Sequence, residues 1–353
     1  MIISIILIIL MWLLPTAINN RILNQREQSD LLKFIASIIV VLGHQTIFYC
    51  KSITQFIRSE TDYGALCVAF FLFISGYGLI INVLTGGGKI KERLWLSRRL
   101  VKLIVPAITA MIVYFIFKAL LGKSIDWNNV FIWWFVSNDN LLYGWYVTEI
   151  ILLYMAFYFC FKYMKMPYSI YSLTALIAVA MIVMVLYQKP IWYIRGLPCF
   201  VMGMFYAKYD AIHCEGGNMV KKISPIIIKC IMILLVVVFF LLNNFEIVQE
   251  NIPFLNRWTY MYISFYVVSP IFIIIVAYII ERMPSVGFMK NKGKYFYEIY
   301  LVQGTSLMIC RKFIENDLLF IVFGIIITII MAKYLNRINS IVINKINSLI
   351  YYV

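Results

Sequence analysis

Charge is what this chain has least of. Only 13% of its 353 residues are Asp, Glu, Lys or Arg, against 63% apolar. A soluble domain carries about twice that share of charge. No polar-leaning stretch exceeds about 20 residues, so no sizeable soluble domain is expected. There are two histidines, and the seven cysteines show no CxxC spacing. That excludes the usual zinc and disulfide frameworks and leaves the cysteines as small packing residues. There is no GxSxG elbow, no GK[ST] phosphate loop behind the Gly86–Gly87–Gly88 run, and no internal repeat. The apolar stretches run continuously rather than alternating, which excludes an outer-membrane barrel.

What is present is apolar sequence, about 222 residues at 63% of 353. Divided by roughly 20 residues per membrane-spanning helix, this gives about eleven spans. The runs place them at 2–18, 31–50, 64–84, 100–121, 143–161, 170–187, 195–209, 225–242, 258–280, 295–313 and 318–335. The weakest are 195–209, which is short, and 295–313, which carries Glu298, Arg311 and Lys312. Net charge is +15, but the basic residues are dispersed over short loops, so nucleic acid is not an expected partner. Counted by alternate loops, 22 Lys and Arg lie on one side and nine on the other. The positive-inside rule puts the richer side in the cytoplasm. The N-terminus is then outside and the C-terminus inside. Span 2–18 lacks a positive charge before it, so a retained anchor is expected rather than a cleaved signal. Beyond 335, apolar residues from Ile338 to Val353 recur at helical spacing, which suggests a helix lying in the inner interface.

Few ionisable residues fall inside spans, and those that do are functional candidates. His44 is one; His213, in AIHCEGG, reads as an exposed loop histidine. Lys33 and His44 are eleven residues apart, about 20° beyond three full helical turns, with a rise of about 16 Å. They therefore share a face, with the cation at the cytoplasmic end and the imidazole in the outer half. The alternative is a packing histidine with Lys33 reaching the interface. Glu149 lies at a similar depth and could orient the imidazole; a carboxylate bonded elsewhere fits as well. In the loop after span 64–84, Arg98, Arg99 and Lys102 head a basic cluster. Orientation alone accounts for it, and an anionic cytoplasmic ligand would use the same charges. Ser75 stands beside Gly76, a spacing typical of close helix packing. Arg195 opens span 195–209 on the outer side. Trp127, Phe131 and Trp134 read as an aromatic belt, or as a stacking platform for sugar.

These residues resemble the bacterial membrane acyltransferase family 3, whose members O-acylate cell-surface sugars. Lys33-x10-His44 is similar to the family's basic-x10-His signature. Residues 70–79, FFLFISGYGL, resemble its FFxxSG helix, and Arg98-Arg99-Leu100 with Lys102 and Pro106 its RRxxR…P loop. Trp145-Tyr146 resembles its WYL start, and Arg195 with Pro198, Phe200 and Gly203 its R…P.F..G helix. Ile299-Tyr300-Leu301-Val302 resembles the late IYLxH motif, with Gln303 in place of its histidine.

The resemblance implies an all-α polytopic membrane protein of about eleven transmembrane helices, a ten-helix acyltransferase core plus one N-terminal helix. Residues 1–28 would be the anchor and cytoplasmic link, 29–335 the core, and 336–353 the amphipathic tail. It implies no cofactor and no metal, with acyl-CoA as donor substrate and a cell-surface glycan or lipid-linked sugar as acceptor, in the bacterial cell membrane. His44, with Glu149, would be catalytic, as general base or transient acyl carrier. Lys33, Arg98, Arg99 and Lys102 would bind the donor. Arg195, Trp145, Tyr146 and Ser75 would lie on the acceptor side. The resemblance leaves a second function open, a polysaccharide flippase or exporter.

Overall fold

A computed structural model describes residues 26–48, 50, 64–86, 90, 94–125, 127, 142–215 and 292–351, with 230, 233–234, 237, 268–269 and 271–276 between the last two. All regular structure among them is helical. The principal helices are α1 (Arg26–Phe48), α2 (Gly64–Thr85), α3 (Trp95–Leu120), α4 (Trp145–Tyr163), α5 (Tyr168–Leu186), α6 (Leu197–Glu215), α7 (Phe296–Phe313) and α8 (Asp317–Tyr351). Among the described residues α2, α3, α4, α5 and Asp317–Leu349 of α8 are long and apolar enough to cross a membrane. The chain is an all-α, multi-pass membrane protein. The expected span 2–18 lies outside the described residues, as do most of 225–242 and 258–280. So do Phe131 and Trp134; Trp127 is exposed. The short expected span 195–209 is a longer helix, α6, whose last turn takes in His213, which the sequence placed in a loop.

The chain divides into two compact units. One comprises Met1–Leu32, Ala65–Gly87 and Thr174–Asn291; the other comprises Lys33–Gly64, Gly88–Leu173 and Lys292–Val353. In the first unit α2 packs on α6 through glycines. A Cβ on Gly76 would collide with the Phe200 carbonyl, and one on Gly203 with the Phe73 carbonyl and the Tyr77 amide. Lipid supplies no hydrophobic drive between helices, so close backbone approach at small residues has to hold them. Gly203→Ala should therefore lower stability by about 1–3 kcal/mol, the usual cost of overpacking. Gly78→Ala, on the same helix pair but with nothing within 4 Å of its Cβ position, should be neutral or stabilising. Thermal unfolding of the detergent-solubilised protein checks the pair; equal midpoints would remove the packing argument.

The second unit is built around α7, the span whose charges made it doubtful in the sequence. Every residue from Glu298 to Met308 is buried, the polar Gln303, Thr305 and Ser306 included. Neighbouring helices satisfy several of the polar residues along it. Glu298 accepts hydrogen bonds from Asn336 at 3.0 Å and Asn339 at 3.2 Å. Asn339 in turn accepts from Thr109 at 2.7 Å, and Ser306 pairs with Thr328. At the far end Arg311 pairs with Asp317 at 2.9 Å. Tyr297 donates to the Leu103 carbonyl at 3.1 Å, tying α7 to the first turns of α3. Gln45 of α1 donates to the Phe320 and Ile321 carbonyls, both at 3.1 Å. Gly324 makes room for that amide, which a Cβ there would strike.

The expected tail is not a separate element. α8 runs unbroken from Asp317 to Tyr351. Its polar positions Asn336 and Asn339 turn inward onto Glu298, while Ile338, Ile341 and Leu349 are exposed.

Candidate active site

α1 and α7 run side by side in the second unit. At one end Phe34 meets Tyr295 edge-on and the Lys33 ammonium lies 5.6 Å from the centroid of the Phe296 ring. Eleven residues on, His44 reaches Gln303. Its Nδ1 lies 2.9 Å from Gln303 Oε1. A carboxamide oxygen only accepts, so Nδ1 carries the proton and Nε2 keeps its lone pair. Gln303 is fully buried, and its Nε2 has no hydrogen-bond partner.

The imidazole is also stacked. The Tyr143 ring lies parallel to it, with centroids 3.8 Å apart and planes 8° from parallel. Tyr143 belongs to the turn 142–144 that leads into α4. That turn is fastened to α7 by Tyr300, whose hydroxyl donates to the Tyr143 carbonyl, and by Leu142, which occupies the place a Cβ on Gly304 would take. Tyr300, Gln303 and Gly304 are spaced i, i+3 and i+4 and so share one face of α7. The Tyr143 backbone has φ 66°, a left-handed conformation that costs a non-glycine residue about 1–3 kcal/mol.

Trp145 and Tyr146 open α4. They meet edge-on, and the buried Tyr146 ring packs against Tyr300 at 5.3 Å. One turn further Glu149 is buried, and neither carboxyl oxygen has a hydrogen-bond partner. Glu149 therefore does not hold the imidazole, as the sequence suggested it could; Gln303 does. The contact to Nδ1 comes instead from a residue 259 positions away, which an expectation of similar depth does not identify.

The basic residues of this unit come from helix ends that pack together. Arg99 lies 5.5 Å above the Trp95 ring, and Trp95 stacks on Phe157 and Tyr158 at the end of α4. Lys102 is exposed, and its neighbour Leu103 takes the Tyr297 hydrogen bond next to Phe296, over which Lys33 sits. Lys33 and Arg99 thus rest on aromatic faces, which orders their stems. Arg98 follows on the same first turn of α3. Ser75 and Arg195 belong to the other unit. Ser75 is on α2, and Arg195 stands before Gly196, which packs on Leu72 of α2.

Fold and site together define a multi-pass membrane protein that fixes a single imidazole, by tautomer and by plane, inside a helix bundle. The chain belongs to the acyltransferase 3 family: the family's model, an acyltransferase domain, matches residues 26–337. It is a membrane acyltransferase. No curated protein and no solved structure matches it.

Proposed function

We propose that the chain is an O-acyltransferase, moving an acetyl group from cytoplasmic acetyl-CoA to a hydroxyl of an extracytoplasmic polysaccharide or glycolipid. The observation that carries this reading is the His44–Gln303 contact, which leaves Nε2 as the one unprotonated imidazole nitrogen. A neutral imidazole near pH 7 suits general-base work on a sugar hydroxyl. His44 Nε2 takes the hydroxyl proton as the oxygen attacks the thioester carbonyl. The C–S bond then breaks and the proton passes to the departing thiolate, giving ester and free CoA. Acyl transfer through the imidazole itself would use the same nitrogen.

The unpartnered groups have a place in this scheme. A buried polar group without a partner costs about 1–3 kcal/mol, and active sites keep such groups for substrate. Gln303 Nε2–H would donate to the acyl carbonyl oxygen as negative charge develops there. Glu149 would accept from substrate N–H or O–H groups. Arg98, Arg99, Lys102 and Lys33 would hold the CoA phosphates, and Trp145 and Tyr146 would face the acceptor. The charge asymmetry of the loops supports a cell-membrane protein with its N-terminus outside and its C-terminus in the cytoplasm.

Two measurements test the reading. NMR of surface glycan should show O-acetyl signals that vanish when the gene is deleted; unchanged acetylation would refute the acceptor class. Arg98→Gln with Arg99→Gln should raise the KM for acetyl-CoA about tenfold or more, because each charge-assisted contact is worth about 1.5–3 kcal/mol. An unchanged KM at normal membrane insertion would return the two arginines to an orienting role alone.

A further inference from the structure

The face of α7 that holds His44 holds Tyr143 just as firmly, and at a conformational cost. Tyr143 takes φ 66° while Gly144 beside it, which could adopt a left-handed conformation freely, has φ −76°. A bulky residue keeps such a backbone only where its surroundings impose it. Here Tyr300 holds its carbonyl and Gly304 seats Leu142. What the arrangement secures is a face-to-face stack on the imidazole, 3.8 Å between centroids. Filling space would not demand parallel planes. A cation over a ring face would, because the π face is the negative part of the aromatic quadrupole.

We infer that Tyr143 is the positioning residue of His44, fixing the ring plane and stabilising the imidazolium while the acceptor proton resides on it. The inference rests on the acyl transfer proposed above. In that step the hydroxyl proton moves to His44 Nε2 as the acceptor oxygen bonds to the acyl carbon, and leaves again on the CoA sulfur when the C–S bond breaks. Between those events the imidazole is a cation against the Tyr143 face. The same stack shields one face of the ring.

The test uses the full chain in membranes of glycan-producing cells, with acetyl-CoA labelled in the acyl group as the probe and ester-linked label as the readout. Tyr143→Phe keeps the π face and should retain kcat. Tyr143→Leu should lower kcat about 10- to 30-fold, the worth of a desolvated cation–π contact, with the KM for acetyl-CoA unchanged. Phenylalanines bearing one, two and five ring fluorines at position 143 should lower kcat progressively, since fluorine drains the π face without changing the fold. A packing role would not follow fluorination. A second readout needs no turnover: with His213→Gln leaving one histidine, Tyr143→Leu should remove the ring-current shift from the His44 NMR signals and Tyr143→Phe should keep it. Wild-type kcat in Tyr143→Leu beside an inactive His44→Ala, or equal kcat for phenylalanine and its pentafluoro form, would overturn the inference. Full incorporation by His44→Ala would instead overturn the underlying acyl-transfer reading.

Discussion

His44→Ala should reduce O-acetylation by about 10²–10⁴-fold, the usual worth of a general base, and by more if the imidazole carries the acyl group. The protein should still reach the membrane at its normal level. The substitution removes one stacked ring and leaves Gln303 Oε1 without its partner. That costs about 1–3 kcal/mol in a unit whose core is held elsewhere, by the Glu298–Asn339 and Gln45–Phe320 contacts. His44→Gln, which can still pair with Gln303, separates chemistry from packing: it should be as inactive as His44→Ala and more stable. His213→Ala should act like wild type, because His213 lies at the end of α6 in the other unit. Acetyl content per sugar residue, measured on equal amounts of glycan, reads all three. Normal acetyl content in His44→Ala would remove the imidazole from the mechanism.

The second large effect belongs to Gln303. Gln303→Leu removes the acceptor that keeps the proton on His44 Nδ1 and also the unpartnered Nε2–H. Loss of one preorganised donor to a developing oxyanion costs about 10²–10³-fold, so kcat should fall at least about 10²-fold with little change in KM. Gln303→Glu keeps an acceptor for Nδ1 but has no N–H to give, and should lie between Leu and wild type. Gln303→His places here the residue that the late IYLxH motif carries and should retain most activity. Equal activity of the Leu and wild-type proteins would show that the His44–Gln303 contact is structural.

The spans were legible because a continuous apolar run of about 20 residues has few other uses. The expected runs near 64–84, 100–121, 143–161 and 170–187 have counterparts in α2, α3, α4 and α5. α7 was the doubtful span for a physical reason. Its Glu298, Arg311 and Lys312 look unfavourable in isolation, and the partners of Glu298, Asn336 and Asn339, are 38 and 41 positions away. Lys33 and His44 could be placed on one helix because helical periodicity is local. The partner of His44 could not, because it depends on which helices touch. Tyr143 was hidden for the opposite reason. Local propensity assigns the left-handed turn to Gly144, and tertiary contacts with Tyr300 and Gly304 put it on the tyrosine instead. Rules broken locally and repaired by tertiary contacts are concentrated at functional sites, and here they surround one imidazole.

In the proposed reaction acyl groups would pass from a cytoplasmic thioester to a sugar on the far side of the membrane. Sealed inside-out vesicles from glycan-producing cells, given acetyl-CoA labelled in the acyl group, test it most directly. Label should enter glycan in the vesicle lumen, be released by hydroxylamine as an ester is, and be absent from vesicles carrying His44→Ala. Glycan that accumulates in the lumen without ester-linked label, to the same extent with and without His44, would contradict acyl transfer and favour sugar export.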